Sequence, residues 1–245
     1  MYEADPSQSL SATALPKESL WKIRLNILKG EIIVIDIIKN ERFMAILRNM
    51  PMEKFEKTVQ ALFEGGIRIF EVTYNPSKSD TIETVDKAFE IIKANFGDEA
   101  HLCAGTVVFP EFVEAAHKAG AKCIVSPNSN KKIIERTKEL GMVSIPGAYT
   151  PTEIMNAYEW GADIVKIFPI LPDEIGFLKN IISPLSHIPF VTTGGIRLDN
   201  MAEFLKTGAV AVAAGVTLVP VDMLENNDFE GIRENAKKFV EIAKG

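Results

Sequence analysis

A pattern repeated along the chain predicts a closed (β/α)8 barrel, the TIM-barrel class. An amphipathic helical stretch, a glycine, and a short apolar run ending in small or polar residues recur. The instances are EGGIRIFEVT (64–73), KAGAKCIVSP (118–127), ELGMVSIPG (139–147), EWGADIVKIFP (159–169) and KTGAVAVAAG (206–215). Each glycine stands where a helix ends in the left-handed conformation, and each run after it is apolar on both faces, as strands of a helix-covered parallel sheet are. With FMAIL (43–47), HLCAG (101–105) and FVTTG (190–194) the strands number eight. Their ends, near Leu47, Glu71, Gly105, Ser126, Pro146, Lys166, Thr193 and Ala214, lie 20 to 34 residues apart, room for one strand and one helix. Eight such units favour closure over an open sheet, and no G-x-G-x-x-G follows the first strand.

Before the first strand, MYEADPSQSLSATALPK (1–17) lacks the cationic start and apolar run of a secretory signal. The longest apolar stretch in 20–39, Ile32 to Ile35, is far too short to span a bilayer. Lys29-Gly30-Glu31 can be encoded by a purine-rich ribosome-binding sequence just ahead of Val34, which is codable as GTG. Residues 1–33 are therefore expected to be a disordered or non-native extension, and 34–245 a single barrel domain opened by a short N-terminal helix. Later in the chain, Thr150, Pro151 and Glu153 carry the N-cap, N1 proline and capping-box glutamate of a helix start.

At 245 residues, 47% apolar and 24% charged, the chain can bury a sizeable core without metal or disulfide staples. A net charge of −6 argues against nucleic-acid and anionic-membrane partners and for a small-molecule ligand. Cys103 and Cys123 sit in apolar runs and read as reduced core residues of a cytoplasmic protein. His101, His117 and His187 are scattered without metal-site spacing, so no metal is expected.

In this fold chemistry gathers at the C-terminal strand ends. Lys166, flanked by β-branched residues, shares a face with Ile164 and Phe168. An ammonium among apolar groups is more easily deprotonated, and the free amine is what attacks a ketone to form a Schiff base. A structural lysine, paired with a carboxylate or with its head in water, is the alternative. Glu71 has the parity of Ile67 and Ile69 and could accept and return a proton, or pair with Lys166 or Arg48. Thr193-Gly194-Gly195 and Ala214-Gly215-Val216-Thr217 end strands seven and eight, where backbone N–H groups commonly hold phosphate. Arg48, Thr73, Thr106 and Ser126-Pro127-Asn128 complete the polar candidates.

These motifs occur in a recognisable order: Ala45-Ile-Leu-Arg48, Gly65-Gly-Ile, Glu71-Val-Thr73, Ala104-Gly-Thr106, Val125-Ser-Pro127, Ile145-Pro-Gly147, Thr150-Pro-Thr-Glu-Ile154, Val165-Lys-Ile-Phe-Pro169 and Thr193-Gly-Gly195. Together they resemble the family of 2-keto-3-deoxy-6-phosphogluconate (KDPG) and 4-hydroxy-2-oxoglutarate (KHG) aldolases. The resemblance implies a class I aldolase without cofactor or metal, usually a homotrimer. Lys166 would form the Schiff base, Glu71 would relay protons, Thr106 and the loop after strand two would hold the carboxylate, and Phe168 would pack beside the imine. Gly194, Gly195 and Gly215 would bind the distal phosphate.

The chain departs from that family at the substrate grips. Asn75 stands where the family often has a carboxylate-binding arginine, leaving Lys78 as a replacement; Asn128 stands for a glycine. Residues 170–174 replace a glycine-rich turn, and Val216 replaces a phosphate-binding serine, with Thr217 the nearest hydroxyl. The expected reaction is cleavage of 2-dehydro-3-deoxy-6-phosphogluconate to pyruvate and glyceraldehyde 3-phosphate. Alternatives are the same mechanism on 4-hydroxy-2-oxoglutarate or 2-dehydro-3-deoxy-6-phosphogalactonate, a catalytically weak phospho-ligand-binding barrel, and a metal-free barrel isomerase or decarboxylase.

Overall fold

A computed structural model describes residues 30, 31 and 33–245. Most of the extension expected at 1–33 thus lies outside the described residues. Helix α1 (33–41) crosses the boundary expected at Val34, for Gly30 and Glu31 are already helical. Glu31 is buried and pairs with Lys138 at 2.8 Å, which also holds Asp163 at 2.8 Å.

The strands are β1 (Phe43–Leu47), β2 (Ile69–Thr73), β3 (His101–Gly105), β4 (Cys123–Val125), β5 (Val143–Ile145), β6 (Gly147–Ala148), β7 (Val165–Ile167), β8 (Phe190–Thr193) and β9 (Ala211–Ala214). All pairings are parallel, in the order β5-β4-β3-β2-β1-β9-β8-β7-β6. β5 pairs with β4 and β6 with β7, and the two follow one another directly through Pro146. They are therefore two halves of one barrel strand. Proline has no N–H for the ladder, which explains the break. Eight staves close the ring, as the sequence spacing predicts.

The covering helices are α2 (Met52–Glu64), α3 (Thr81–Phe96), α4 (Pro110–Ala119), α5 (Lys131–Glu139), α6 (Pro151–Glu159), α7 (Ile175–Ile182), α8 (Met201–Lys206), α9 (Val221–Glu225) and α10 (Phe229–Lys244). The glycines expected at helix ends, Gly66, Gly120, Gly141, Gly161 and Gly208, have φ between 71 and 100°. At Gly120 the amide closes α4 on the carbonyls of Ala116 and His117, a turn that a Cβ would strain. The capping box predicted for α6 is formed in both directions.

Alternation along the strands divides the core in two. Phe43, Phe70, Phe190 and Val212 face the helices, where Phe43 stacks on Phe239 of α10 at 5.1 Å. Met44, Ile69, Val125, Val143, Ile145, Ile164, Val191 and Ala211 face inward, joined by Ile38 of α1. α1 thus stops the N-terminal end of the barrel with an apolar plug.

Cys103 and Cys123 belong to this inner cluster, and here the expectation of reduced thiols is corrected. They are direct register partners on β3 and β4 and form a disulfide across 20 residues of chain. Apolar flanks predict burial correctly, but two cysteines on adjacent strands can share a level only when the register is known. No helix among the described residues is long and apolar enough to cross a membrane.

Candidate active site

The inward columns change character as they rise. β2 reads Ile69, Glu71, Thr73; β7 follows Ile164 with Lys166; β8 reads Val191, Thr193. Their lower members fill the apolar floor, and their upper members line a cavity of about 550 Å³ at the C-terminal mouth. Period-two geometry delivers these groups from separate strands to one space.

Lys166 lies at the base, 6% exposed, with Nζ 4.9 Å from the centre of the Phe168 ring. Glu71 is 2% exposed, and its Oε2 has no hydrogen-bond partner. Neither takes part in an ion pair among the described residues, so the mutual pairing considered from the sequence is not formed. Gly105 explains how the carboxylate fits. A Cβ there would lie 2.7 Å from Glu71 Cγ, so only glycine lets this side chain lie across β3. The hydroxyls of Thr73 and Thr193 also line the cavity and are buried without partners. Buried polar atoms are nearly always satisfied. An orphan carboxylate oxygen and two orphan hydroxyls around one amine therefore mark a place for a polar ligand.

Thr106 adds a strained backbone. Its φ of 56° is unusual for a β-branched residue, a conformation costing on the order of 1–3 kcal/mol that clusters at functional sites. Its neighbour in the wall, Pro127, follows β4, and Phe168 is joined to Pro169 by a cis peptide.

At the far end, Gly194, Gly195 and Gly215 stand with Val216 and Thr217. The glycine pair is also required sterically: a Cβ on Gly194 would meet Ile170 O at 2.6 Å, and one on Gly195 the Pro172 ring at 2.7 Å. The loop at 170–174 is pinned there by Glu174, which accepts from Leu171 N and from Tyr149 Oη.

Arg48, Glu71, Thr73, Thr106, Pro127, Lys166, Phe168, Gly194, Gly195, Gly215, Val216 and Thr217 all line this cavity. Asn75 does not, and its expected place in the site is corrected. Its amide donates to Asn49 Oδ1 at 3.0 Å while its own Oδ1 accepts from Ser77 N, so the side chain builds a turn. Asn49, in contrast, does line the cavity. Lys78 is exposed outside it, whereas Arg48, though also exposed, is among the residues that line the cavity. Asn128 lines a separate cavity of about 210 Å³ behind Phe168. Tyr74 packs outward on Phe112, and burial raises its phenol far above the ordinary tyrosine value, with Asp86 adding to the effect; it takes no part in the site.

Besides Asn49, Thr193 and Lys54 are polar residues of the cavity that escaped sequence reasoning. Thr193 was part of a motif without a role, although its parity with Val191 places it inward. Lys54 also lines the cavity, and its position depends on how α2 and α9 pack, for which the sequence holds no local signal.

A family model described as KDPG and KHG aldolase matches residues 34–235. A 2-dehydro-3-deoxy-phosphogluconate aldolase of Treponema pallidum is 30% identical over 212 residues, 86% of this chain and 98% of the relative. A KHG/KDPG aldolase of Escherichia coli is 32% identical over 198 residues, covering 79% and 89%. Among solved structures, the KDPG aldolase of Legionella pneumophila, with pyruvate captured as a covalent carbinolamine, superposes with a TM-score of 0.72 at 27% identity, over 82% of this chain and 95% of that one.

Proposed function

The chain belongs to the KDPG and KHG aldolase family and is a carbon–carbon lyase; from that premise we propose that it cleaves 2-dehydro-3-deoxy-6-phosphogluconate through a Schiff base on Lys166. The observation that carries the reading is a buried, unpaired amine at the base of a cavity whose one buried carboxylate, Glu71, has a free oxygen.

Lys166 Nζ attacks the C2 carbonyl, and the carbinolamine loses water to give a protonated imine. Glu71 removes the C4 hydroxyl proton, the C3–C4 bond breaks, and its electrons flow into the imine to give an enamine. Glyceraldehyde 3-phosphate departs, Glu71 returns the proton to C3, and water releases pyruvate and the free lysine. Arg48 and Thr106 hold the carboxylate. Backbone N–H groups at Gly194, Gly195 and Gly215 receive the phosphate. Chemistry comes from protein side chains, with no cofactor.

The test is to incubate with pyruvate, reduce with borohydride, and map the adduct. A stable modification at Lys166, absent from Lys166→Met, is expected; an unmodified protein would sink the reading. A second reading is the same chemistry on 4-hydroxy-2-oxoglutarate, which carries no phosphate and is favoured by Val216, a residue with no hydroxyl at the phosphate end, or on 2-dehydro-3-deoxy-6-phosphogalactonate, whose phosphate is the same and on which Val216 does not bear. Comparing kcat/KM on the three substrates separates them. We also propose a cytoplasmic homotrimer, checked by light scattering and by cell fractionation.

A further inference from the structure

The loops at the far end of the cavity bring no side-chain charge to it. Val216 is 73% exposed and apolar, and the Thr217 hydroxyl already donates to Ile196 O at 2.7 Å. Main-chain amides remain. Amide dipoles orient an anion, but a dianion in a protein of net charge −6 is better held with a full positive charge nearby.

One stands in the same cavity. Lys54, in the first turn of α2, extends its ammonium to the C-terminal end of α9, donating to Leu224 O at 2.8 Å and Glu225 O at 3.1 Å. Carbonyls at a helix C-terminus attract a cation, so α9 fixes where this charge sits. Two acceptors occupy two of the three ammonium N–H groups and leave the third. Glu225 enters through its main chain; no carboxylate of the described residues forms an ion pair with Lys54. The charge is positioned but not neutralised, and it shares the cavity with Gly195, Gly215 and Val216.

Resting on the aldolase reading above, we infer that Lys54 is a specificity-determining residue for the distal end of the substrate, its ammonium gripping a terminal phosphate in place of a loop hydroxyl. α9 is the scaffold that aims it. This grip belongs to the aldehyde half of the substrate and leaves the pyruvyl half untouched.

The test compares wild type, Lys54→Met and Lys54→Arg on a 2-keto-3-deoxy sugar acid with and without its terminal phosphate. Melting temperature and borohydride trapping of pyruvate are measured alongside. A charged hydrogen bond lost from the substrate complex corresponds to about a tenfold to hundredfold rise in KM. That rise is expected in Lys54→Met for the phosphorylated substrate alone, with kcat and trapping retained and with Lys54→Arg recovering most of it. Inorganic phosphate should likewise inhibit Lys54→Met more weakly than wild type. Equal KM changes for both substrates, with a lowered melting temperature, would mean that Lys54 only braces α9, and no change would equally overturn the inference. Failure of wild type to trap pyruvate would instead strike the aldolase reading itself.

Discussion

The two ends of the barrel interior are made by the same strands and obey opposite rules. At the α1 end, Ile38, Met44, Ile69, Val143 and Val191 fill the space with apolar groups that need no partner. At the other end, two to four residues further along the same columns, Glu71, Thr73 and Thr193 carry buried polar atoms with none. One end is optimised for stability; the other holds unsatisfied groups that a substrate would satisfy. The contrast within β2 is sharpest, because Ile69 and Glu71 share a face two residues apart.

Substitutions can break that contrast. Lys166→Met should have the largest effect, lowering kcat by on the order of 10⁴-fold or more while leaving the melting temperature unchanged or raised, since an unpaired buried amine is replaced by a chain of similar shape. Steady-state kinetics beside calorimetry checks both halves. Glu71→Gln comes next, with kcat reduced by about 10²–10⁴-fold and stability again retained; a variant that unfolds instead would show that the carboxylate is structural. Ile69→Ala should do the reverse, costing about 2–5 kcal/mol in denaturant unfolding with near-normal turnover per folded molecule. Smaller still, replacing Cys103 and Cys123 by alanine should cost up to roughly 3 kcal/mol, the loop-closure contribution for a loop of this length, without altering KM. Activity lost in step with stability in the last two variants would show that floor and site are one unit.

The readable part of the molecule is the part set by local rules. Strand ends followed from glycine stops, and Glu71 and Lys166 from parity with Ile69 and Ile164. What stayed hidden depends on pairs of elements. Asn75 looked like a weakened substrate grip because its distance along the chain from Glu71 was right, yet Asn49 and Ser77 claim its side chain. The cysteine bond needed the β3–β4 register. Lys54 needed the meeting of two helices 170 residues apart in sequence. The split of the fifth stave into β5 and β6 was written in Pro146 but could be read equally as a strand end.

Among the described residues, the plug made by α1 fills the N-terminal end of the barrel, while the cavity lies at the C-terminal mouth. In the proposed mechanism pyruvate is bonded to Lys166 at the bottom, whereas the aldehyde would lie between it and the mouth. The fragment nearest the opening must leave first, and in synthesis the keto acid must be seated before the aldehyde arrives. Architecture alone thus imposes a queue, in which an aldehyde can block but cannot be overtaken.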